Sequence, residues 1–511
     1  MDSNDKNNSI IIIGAGFAGL AAGIYAQMNG YRSQIFEMHD QPGGLCTSWK
    51  RRGYTIDCCI HWLVGSSPES QMHDLWEEVG LTQGREFINM DEYMHFESPD
   101  GRVLTFYTNI DHLEKHLLEF SPIDSEPIKD FINGIRMCLA FDQPSIKTPW
   151  IIRKVKQIRL GLSFIRNGKI MQRWMKTTCS DFAHRFKNPL LRKAFEEMWL
   201  PEFSMFFLLF TFAYMHTKNA GYPIGGSMPM SRALEKRYTG LGGVINYGKR
   251  VEKIITENDS ASGIRLTDGT EYRCKVVVSA ADGYNTIFKM LDGKYTNEKI
   301  RYSYDKWLLF PPLIFVGMGI NRKFDDVPAS VSGFSFPLKK PVEVGDRMRE
   351  RMSVHLYKHD PSMAPEGRTA LTLMFETDYE YWKKLFENRK DYEEKKDEIA
   401  NIVVDLLEQR FPGISPQVEM IDVATPLTFE RYTGNWKGSF EGWLITPDNA
   451  NIILKPMSQS LPGLSNFFMC GQWVEPGGGL PTGIMSGRRL IKRICLEDGK
   501  KFKADFGKGG R

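Results

Sequence analysis

The stretch that decides the fold is IIIIGAGFAG, residues 10–19, close to the start of a chain of 511 residues. Its four isoleucines form an unbroken β-branched run, which is typical of a strand buried on both faces of a parallel sheet. The glycines follow directly, and apolar residues then recur at helical spacing until Gly30 ends the pattern. Residues 34–37 (QIFE) indicate a second strand. The pattern therefore predicts a βαβ unit at the start of the chain.

The glycine spacing inside this unit predicts a dinucleotide site. The glycines fit GxGxxG with a strand before them and a helix after them. The first glycine permits a tight turn, the second lets the backbone approach a pyrophosphate, and the third allows the helix to pack closely on the strand. A carboxylate follows the second strand, where it accepts hydrogen bonds from ribose hydroxyls and repels a 2′-phosphate. The residues predicted to hold the ADP half are Gly14, Ala15, Gly16, Phe17, Ala18, Gly19 and Glu37.

Two further glycine-rich segments extend the predicted site. Gly43 and Gly44 lie just beyond the second strand, and their backbone N–H groups can reach further phosphate or ribityl oxygens. Near the other end of the chain, residues 469–483 (MCGQWVEPGGGLPTG) begin in an apolar strand and precede a predicted helix over residues 484–494. Because this second loop does not fit GxGxxG, the sequence predicts one nucleotide site.

The bulk composition excludes several classes of protein. With 42% hydrophobic and 25% charged residues, the chain has the composition of a soluble globular protein, and a net charge of +4 favours no nucleic-acid partner. The eight cysteines show no CxxC or zinc-ligand spacing, which predicts reduced thiols and no metal site. The start of the sequence lacks the features of a signal peptide, and no apolar run is long enough to cross a bilayer. We therefore expect a cytoplasmic protein.

Several motifs together are characteristic of one enzyme family. They are the glycine fingerprint, the Gly43-Gly44 pair followed by residues 53–57 (GYTID), and residues 471–486. They resemble the phytoene desaturase, carotenoid isomerase and retinol saturase family of flavoproteins. The other segments that recur in that family are residues 225–227 (GGS), Gly242-Gly243 with Val251, Asp360-Pro361 with residues 364–367 (APEG), and residues 425–428 (TPLT). The resemblance spans most of the chain outside residues 120–220, and residues 60–62 (IHW) are more similar to retinol saturases than to plant carotenoid isomerases.

This resemblance implies FAD as the cofactor. It assigns Glu37 to the adenosine ribose, Val251 to adenine through its backbone, and Gly471 with Gln472 to the ribityl phosphate. The other residues it assigns to the cofactor are Gly43, Gly44, Leu45, Gly479, Pro481, Thr482 and Gly483. A helix that begins near Thr482 would direct its positive end at the flavin N1/C2 carbonyl and favour the anionic reduced flavin. Leu45 departs from the arginine that relatives in the wider amine-oxidase superfamily often carry, which puts that pyrophosphate contact in doubt.

The predicted fold class is α/β, with the cofactor domain assembled from separate segments. We predict a Rossmann-type FAD-binding domain from residues 1–78, 225–300 and 456–499. Residues 79–224 and 301–455 are predicted to form an inserted α+β substrate-binding domain with a helical cap. Residues 500–511 are predicted to form a flexible basic tail.

Two stretches of the inserted region point to a hydrophobic substrate. Residues 150–176 hold eight Lys or Arg and no Asp or Glu, interleaved with apolar residues. This pattern favours a peripheral position on the inner face of an anionic membrane, with a solvated helix face on the cap as the alternative. Residues 203–215 (FSMFFLLFTFAYM) are uncharged and aromatic but too short to span a bilayer. They could line a channel for an apolar substrate, with plain core packing as the alternative.

Together these features predict an FAD-dependent oxidoreductase that desaturates or saturates a carbon–carbon bond of a long hydrophobic polyene or isoprenoid. His61 and Glu475 are the candidate catalytic residues for proton transfer, and a structural role in a strand is the alternative for His61. A redox-neutral cis–trans isomerase that uses reduced FAD shares every motif, so the type of reaction stays open. An amine oxidase is disfavoured because the inserted region is apolar and basic. A non-enzymatic prenyl-binding protein of the GDP dissociation inhibitor type is disfavoured because the glycine motifs are retained; the oligomeric state is not predicted.

Overall fold

A computed structural model describes residues 8–141, 144–453, 455–477 and 479–505 of the chain. Its β-strands are β1 Ser9–Ile13, β2 Arg32–Phe36, β3 Ser48–Arg51, β4 Tyr54–Asp57, β5 Leu63–Val64, β6 Phe87–Ile88, β7 Glu92–Glu97, β8 Val103–Tyr107, β9 Ala220–Pro223, β10 Val244–Asn246, β11 Val251–Glu257, β12 Ser260–Leu266, β13 Glu271–Arg273, β14 Val276–Ser279, β15 Leu313–Ile320, β16 Phe334–Val344, β17 Arg347–Leu356, β18 Thr369–Glu376, β19 Val418–Ala424 and β20 Phe467–Met469. Its α-helices are α1 Phe17–Met28, α2 Gln71–Glu78, α3 Ile110–Phe120, α4 Ser125–Cys138, α5 Trp150–Lys176, α6 Cys179–Ala183, α7 Pro189–Glu197, α8 Met205–His216, α9 Ser227–Gly240, α10 Glu298–Lys306, α11 Tyr379–Leu385, α12 Arg389–Arg410, α13 Pro426–Thr433 and α14 Leu480–Glu497.

The predicted βαβ unit is present as β1, α1 and β2, and it lies at the centre of a parallel sheet of five strands in the order β10-β2-β1-β14-β20. The isoleucine run is buried on both faces, because Ile10 and Ile12 pack into one hydrophobic core while Ile11 and Ile13 pack into another. The sheet draws its strands from widely separated parts of the sequence, and helices cover it. The predicted α/β fold is therefore confirmed.

Two glycines allow unusually close packing, one between α1 and the loop that follows β1 and the other between α14 and α1. A Cβ built on Gly19 would lie 2.0 Å from the Gly14 carbonyl oxygen, so α1 can begin directly against the loop only because residue 19 has no side chain. A Cβ on Gly487 would lie 2.7 Å from the Ala22 nitrogen, so α14 crosses α1 nearly in backbone contact. The N-terminal turns of α1 and α14 are thereby held side by side.

A second sheet of seven strands, in the order β19-β15-β18-β17-β16-β7-β8, is built from residues 92–107 and 313–424. Alternate residues of β15 face different cores: Val316 packs beneath α11 and α12, while Phe315 packs toward the cofactor side. On that side Gly317 leaves room for the β3–β4 hairpin, since a Cβ there would lie 2.5 Å from Ile56. The two sheets are therefore joined through the segment that follows Gly43 and Gly44.

Helices α3 to α8 form a cap with an aromatic core. Phe131, Phe195 and Phe212 meet edge to face, with ring centroids 5.0 to 5.7 Å apart. The long helix α5 is anchored at its C-terminal end by buried Trp174, while much of its remaining length is exposed. In the part of the chain that the structure describes, no helix is long and apolar enough to cross a membrane.

Candidate active site

A cavity of about 1030 Å³ lies along the carboxyl edge of the five-stranded sheet. Residues that directly follow β1, β2, β14 and β20 line it, and this is the edge where open parallel sheets bind ligands. The predicted cofactor residues on its wall are Gly14, Gly16, Phe17, Ala18, Glu37, Gly43, Gly44, Leu45, Val251, Gly471, Gln472, Gly479, Thr482 and Gly483. Of the other predicted residues, Ala15, Gly19 and Pro481 do not line the cavity.

The first glycine loop leaves a space of the kind a pyrophosphate needs. The Gly14 N–H donates to the Phe36 carbonyl at 2.8 Å, which ties the loop to the end of β2. A Cβ built on Gly16 would meet only the Gly43 carbonyl oxygen, at 3.9 Å, so the position opens into the cavity. No side chain caps the N-terminus of α1. Its free N–H groups and positive dipole are therefore available to an anion.

Glu37 is fixed at the end of β2 by backbone groups. Its Oε2 accepts from the Ala15 N–H at 2.7 Å and its Oε1 accepts from the His39 N–H at 2.8 Å. The side chain is 8% exposed; burial raises the pKa of this carboxyl, and the backbone hydrogen bonds oppose the shift. Because each oxygen has a second lone pair, both remain able to accept from ribose hydroxyls.

The Gly43-Gly44 segment is hydrogen-bonded to the first glycine loop. The Gly43 N–H donates to the Ala15 carbonyl at 2.9 Å, and φ at Gly43 is +112°, a conformation that a residue with a side chain rarely adopts. A Cβ there would lie 2.4 Å from the Ser231 hydroxyl oxygen. Next to it, Leu45 lines the cavity with an apolar side chain at the position where relatives in the wider amine-oxidase superfamily often carry an arginine. The basic residues that line the cavity elsewhere are Arg51, Lys249, Arg250, Lys289, Lys396 and Arg431.

The C-terminal glycine loop brings a second helix terminus to the same cavity. The helix α14 begins at Leu480, earlier than the predicted residue 484, and no side chain caps its N-terminus. A Cβ on Gly483 would lie 3.5 Å from the Ala18 nitrogen, so the first turns of α14 and α1 are in contact. Two positive helix ends therefore converge on one wall, an arrangement suited to the phosphates and the electron-rich edge of a flavin.

The two predicted catalytic side chains do not lie on this wall. His61 stacks on His355 with centroids 4.5 Å apart and planes at 16°, and burial lowers the pKa of His61 to about 4. Glu475 is 6% exposed and forms an ion pair with Arg489 of α14. Burial raises the pKa of Glu475, and Arg489 opposes that shift. Neither residue is among those that line the cavity.

Five carboxyl groups that the sequence did not single out line the cavity, and burial raises the pKa of two of them; the five are Asp40, Glu252, Asp282, Asp422 and Glu441. Asp282 accepts from the backbone N–H groups of Asn285 and Trp436 at 2.7 and 2.9 Å, and burial raises its pKa to about 7. Burial likewise raises the pKa of Glu441 to about 7. Glu441 stands in a segment with no recognisable motif, so no signal in the sequence marks it.

A row of stacked aromatic rings, here named the aromatic ladder, leads from the cap to the C-terminal glycine loop. It consists of Trp62, Trp199, Phe203 and Phe207, and neighbouring ring centroids are 6.3, 5.0 and 4.9 Å apart. A Cβ built on Gly477 would lie 3.5 Å from the Phe207 ring. Part of the predicted aromatic stretch 203–215 thus reaches the loop that lines the cavity. In the described residues no group of three or more metal-ligating side chains is present.

Comparison with known proteins places this geometry in a family. The sequence profile described as flavin-containing amine oxidoreductase matches residues 17–494, which is nearly the whole chain. The chain belongs to the flavin-containing amine oxidoreductase family. It is an FAD-dependent oxidoreductase, as the sequence predicted, and the glycine loops, Glu37 and the two uncapped helix ends fit that cofactor.

Members of this family with two named activities match over nearly the full length. Prolycopene isomerase 2, chloroplastic, of an Oncidium hybrid cultivar is 24% identical over 531 residues, covering 97% of this chain and 85% of the relative. The neurosporene-forming phytoene desaturase of Rhodobacter capsulatus is 24% identical over 518 residues, covering 95% and 93%. The solved structure of cyclohexylamine oxidase from Brevibacterium oxydans has a TM-score of 0.60 at 14% identity, covering 96% of this chain and 99% of that chain. The predicted family resemblance is confirmed, and the structural likeness establishes the fold.

Proposed function

We propose that this protein is an FAD-dependent enzyme that desaturates or saturates a carbon–carbon bond of a long hydrophobic polyene or isoprenoid. The observation that carries the proposal is the aromatic ladder, which ends against the glycine loop of the cofactor cavity. Trp62, Trp199 and Phe207 of this ladder are partly exposed, and their flat rings offer an apolar surface to an extended conjugated chain. The matches to phytoene desaturases and prolycopene isomerases support the same substrate class.

The cofactor assignments belong to this proposal. Glu37 holds the adenosine ribose, the backbone of Val251 contacts adenine, and the N-termini of α1 and α14 face the phosphates and the flavin edge. When bound, FAD accepts or donates a hydride at N5. The protein's contribution is to orient the ring system and to keep water from the reacting carbon atoms. The proton roles of His61 and Glu475 stay predictions.

The experiment is an anaerobic incubation of the FAD-loaded protein, oxidised and pre-reduced, with a panel of polyenes and saturated isoprenoids. A product lighter by two hydrogens identifies desaturation, and a product heavier by two hydrogens identifies saturation. An unchanged mass with an altered chromatographic position identifies a redox-neutral isomerase, the second candidate, which the full-length matches to prolycopene isomerases favour. If every panel member is recovered unchanged, the proposed function is wrong.

We also propose that α5 docks on an anionic membrane from which such a substrate enters. Ile151, Ile158 and Leu162 are more than 60% exposed, on a helix whose charged residues are all basic. Apolar side chains in the headgroup region and cations near anionic lipid stabilise this position together.

The docking proposal is tested with vesicles that contain phosphatidylserine. Replacing Lys154 and Lys156 by Gln is expected to weaken vesicle binding by about 30-fold, since each cation near the surface contributes about 1 kcal/mol. The control replaces Lys339 and Lys340, which are equally exposed on β16. Equal binding by the two double variants would refute docking through α5.

A further inference from the structure

Glu441 lies in a short loop whose backbone is held firmly in place. The Phe310 N–H donates to the Gly442 carbonyl at 2.9 Å, and the Gly442 N–H donates to the Ser439 hydroxyl at 3.1 Å. The Leu444 N–H donates to the Leu308 carbonyl at 2.9 Å. Ser439 and Trp443, which stand on either side of Glu441 in the sequence, are fully buried. The backbone around Glu441 is therefore held by hydrogen bonds to the Ser439 hydroxyl on one side and to the main chain of Leu308 and Phe310 on the other.

This loop stands where the aromatic ladder and the cofactor cavity meet. Phe310 packs against Phe203 of the ladder with centroids 5.6 Å apart. A Cβ on Gly442 would lie 3.3 Å from the Gln472 side chain, which lines the cavity beside the C-terminal glycine loop. Glu441 itself lines the cavity. A substrate that lies along the ladder and reaches the flavin therefore passes beside this carboxyl group.

The carboxyl of Glu441 differs from the other carboxyl groups of the cavity wall in having no partner. Glu37 and Asp282 each accept two backbone N–H groups, and Asp422 accepts from Trp49 at 2.8 Å. Among the described residues, no hydrogen bond or ion pair engages the carboxyl of Glu441, and burial alone accounts for its raised pKa. A carboxyl that exchanges a proton near neutral pH and is free to contact a ligand has the properties of a general acid or base.

We propose that Glu441 is the catalytic residue that takes up or delivers the substrate proton. The inference rests on the proposed function. In desaturation one carbon loses a hydride to the bound flavin, and the neighbouring C–H bond breaks heterolytically. Its proton goes to the Glu441 carboxylate and its electron pair forms the new double bond. Saturation is the reverse, with the protonated carboxyl as the donor. The overall change removes or adds two hydrogens, with the two electrons carried by the flavin.

The test compares the full-length FAD-loaded wild type with Glu441→Gln, which keeps the shape of the side chain and removes its titration. Glu441→Asp serves as the conservative variant and Glu366→Gln, at an exposed position, as the matched control. The first readout needs no substrate: an infrared pH titration of the carboxyl band. Because burial also raises the pKa of Asp282 to about 7, we expect two carboxyl groups with midpoints near pH 7 in the wild type and in Glu366→Gln, and only one in Glu441→Gln.

The second readout is the anaerobic single-turnover rate with a reactive polyene. Glu441→Gln is expected to keep its FAD and its substrate affinity while the rate falls at least about 100-fold, with partial recovery in Glu441→Asp. A wild-type rate in Glu441→Gln overturns the proposal. Loss of FAD from Glu441→Gln also overturns it, since the residue would then bind the cofactor.

The design separates failure of the inference from failure of the proposed function. If the wild type converts no polyene, the proposed function is wrong. The infrared titration then still tests whether the Glu441 carboxyl exchanges a proton near neutral pH. If the carboxyl that is present in the wild type and missing from Glu441→Gln has a midpoint in the ordinary range of glutamate, Glu441 does not exchange a proton at neutral pH, which refutes the inference.

Discussion

The two ends of the cofactor cavity are built on opposite principles. At the end formed by β1, α1 and β2, Glu37 accepts hydrogen bonds from two backbone N–H groups. The glycines of the first loop let α1 pack directly against that loop and leave an open space at Gly16. At the other end, Glu441 has no hydrogen-bond or ion-pair partner among the described residues, and Gly477 lies against the aromatic ladder. Satisfied polar groups make a rigid holder, whereas an unsatisfied carboxyl keeps its chemistry available. The contrast supports the proposals that one end, the holding end, binds the cofactor and that the other, the reacting end, carries out the chemistry.

The largest expected effect comes from Gly19→Ala at the holding end. The added Cβ would collide with the Gly14 carbonyl oxygen, so α1 must move away from the loop. We expect a loss of about 3 kcal/mol in the free energy of unfolding, together with loss of bound FAD. Chemical denaturation and the flavin absorption spectrum measure both. The control is Gly161→Ala on α5, where a Cβ meets open space and stability should rise by up to about 1 kcal/mol.

Gly16→Ala separates the holding role from folding. Its backbone angles suit alanine and the added Cβ meets no protein atom closer than 3.9 Å, so stability should be unchanged. The methyl group instead enters the space assigned to the pyrophosphate. We expect the Kd for FAD to rise by about 30-fold, measured by titration of the FAD-free protein. Unchanged FAD affinity would show that the cofactor lies elsewhere in the cavity.

The pH dependence of stability sharpens the contrast at the reacting end. Burial raises the pKa of Glu441 to about 7 from its ordinary value of 4.5, so between these values the folded protein binds a proton that the unfolded chain does not. This one group should therefore add about 1.4 kcal/mol per pH unit to the free energy of unfolding as the pH falls through this window, beside the contribution of Asp282, whose pKa burial also raises to about 7. Denaturation of the wild type and of Glu441→Gln at several pH values measures the difference, and identical slopes would contradict the shift.

The smallest expected effect concerns the ladder. Phe207→Ala removes the ring nearest Gly477 without touching the holding end. We expect the Kd for a long polyene to rise about fivefold while FAD content stays constant. Phe386→Ala, at a ring that is 44% exposed, is the control and should change neither quantity. Equal effects of the two variants would argue against a substrate path along the ladder.

The sequence could predict the holding end because its features are local. The isoleucine run, the three glycines and Glu37 lie within thirty residues, and each has a direct steric or electrostatic reason. The reacting end depends on contacts between distant segments. Glu441 reaches the cavity because its loop bonds to Phe310, and His61 stacks on His355 from a different sheet. No local pattern encodes either arrangement, so the sequence did not single out Glu441, and the proton role of His61 stays a prediction.

The inserted region shows the same limit. Its aromatic and basic stretches were visible in the sequence, but no pattern predicted that β7 and β8 pair into the seven-stranded sheet. Their partner β16 is more than two hundred residues away, so the pairing depends on tertiary structure.

One paired measurement tests the division between the two ends most directly. Flavin content and the anaerobic rate of flavin reduction or reoxidation by a reactive polyene are recorded for Gly16→Ala and for Glu441→Gln. We predict that Gly16→Ala binds FAD weakly yet reacts at the wild-type rate once saturated with FAD, and that Glu441→Gln retains FAD yet reacts at least about 100-fold more slowly. Parallel loss of FAD binding and rate in both variants would contradict the account.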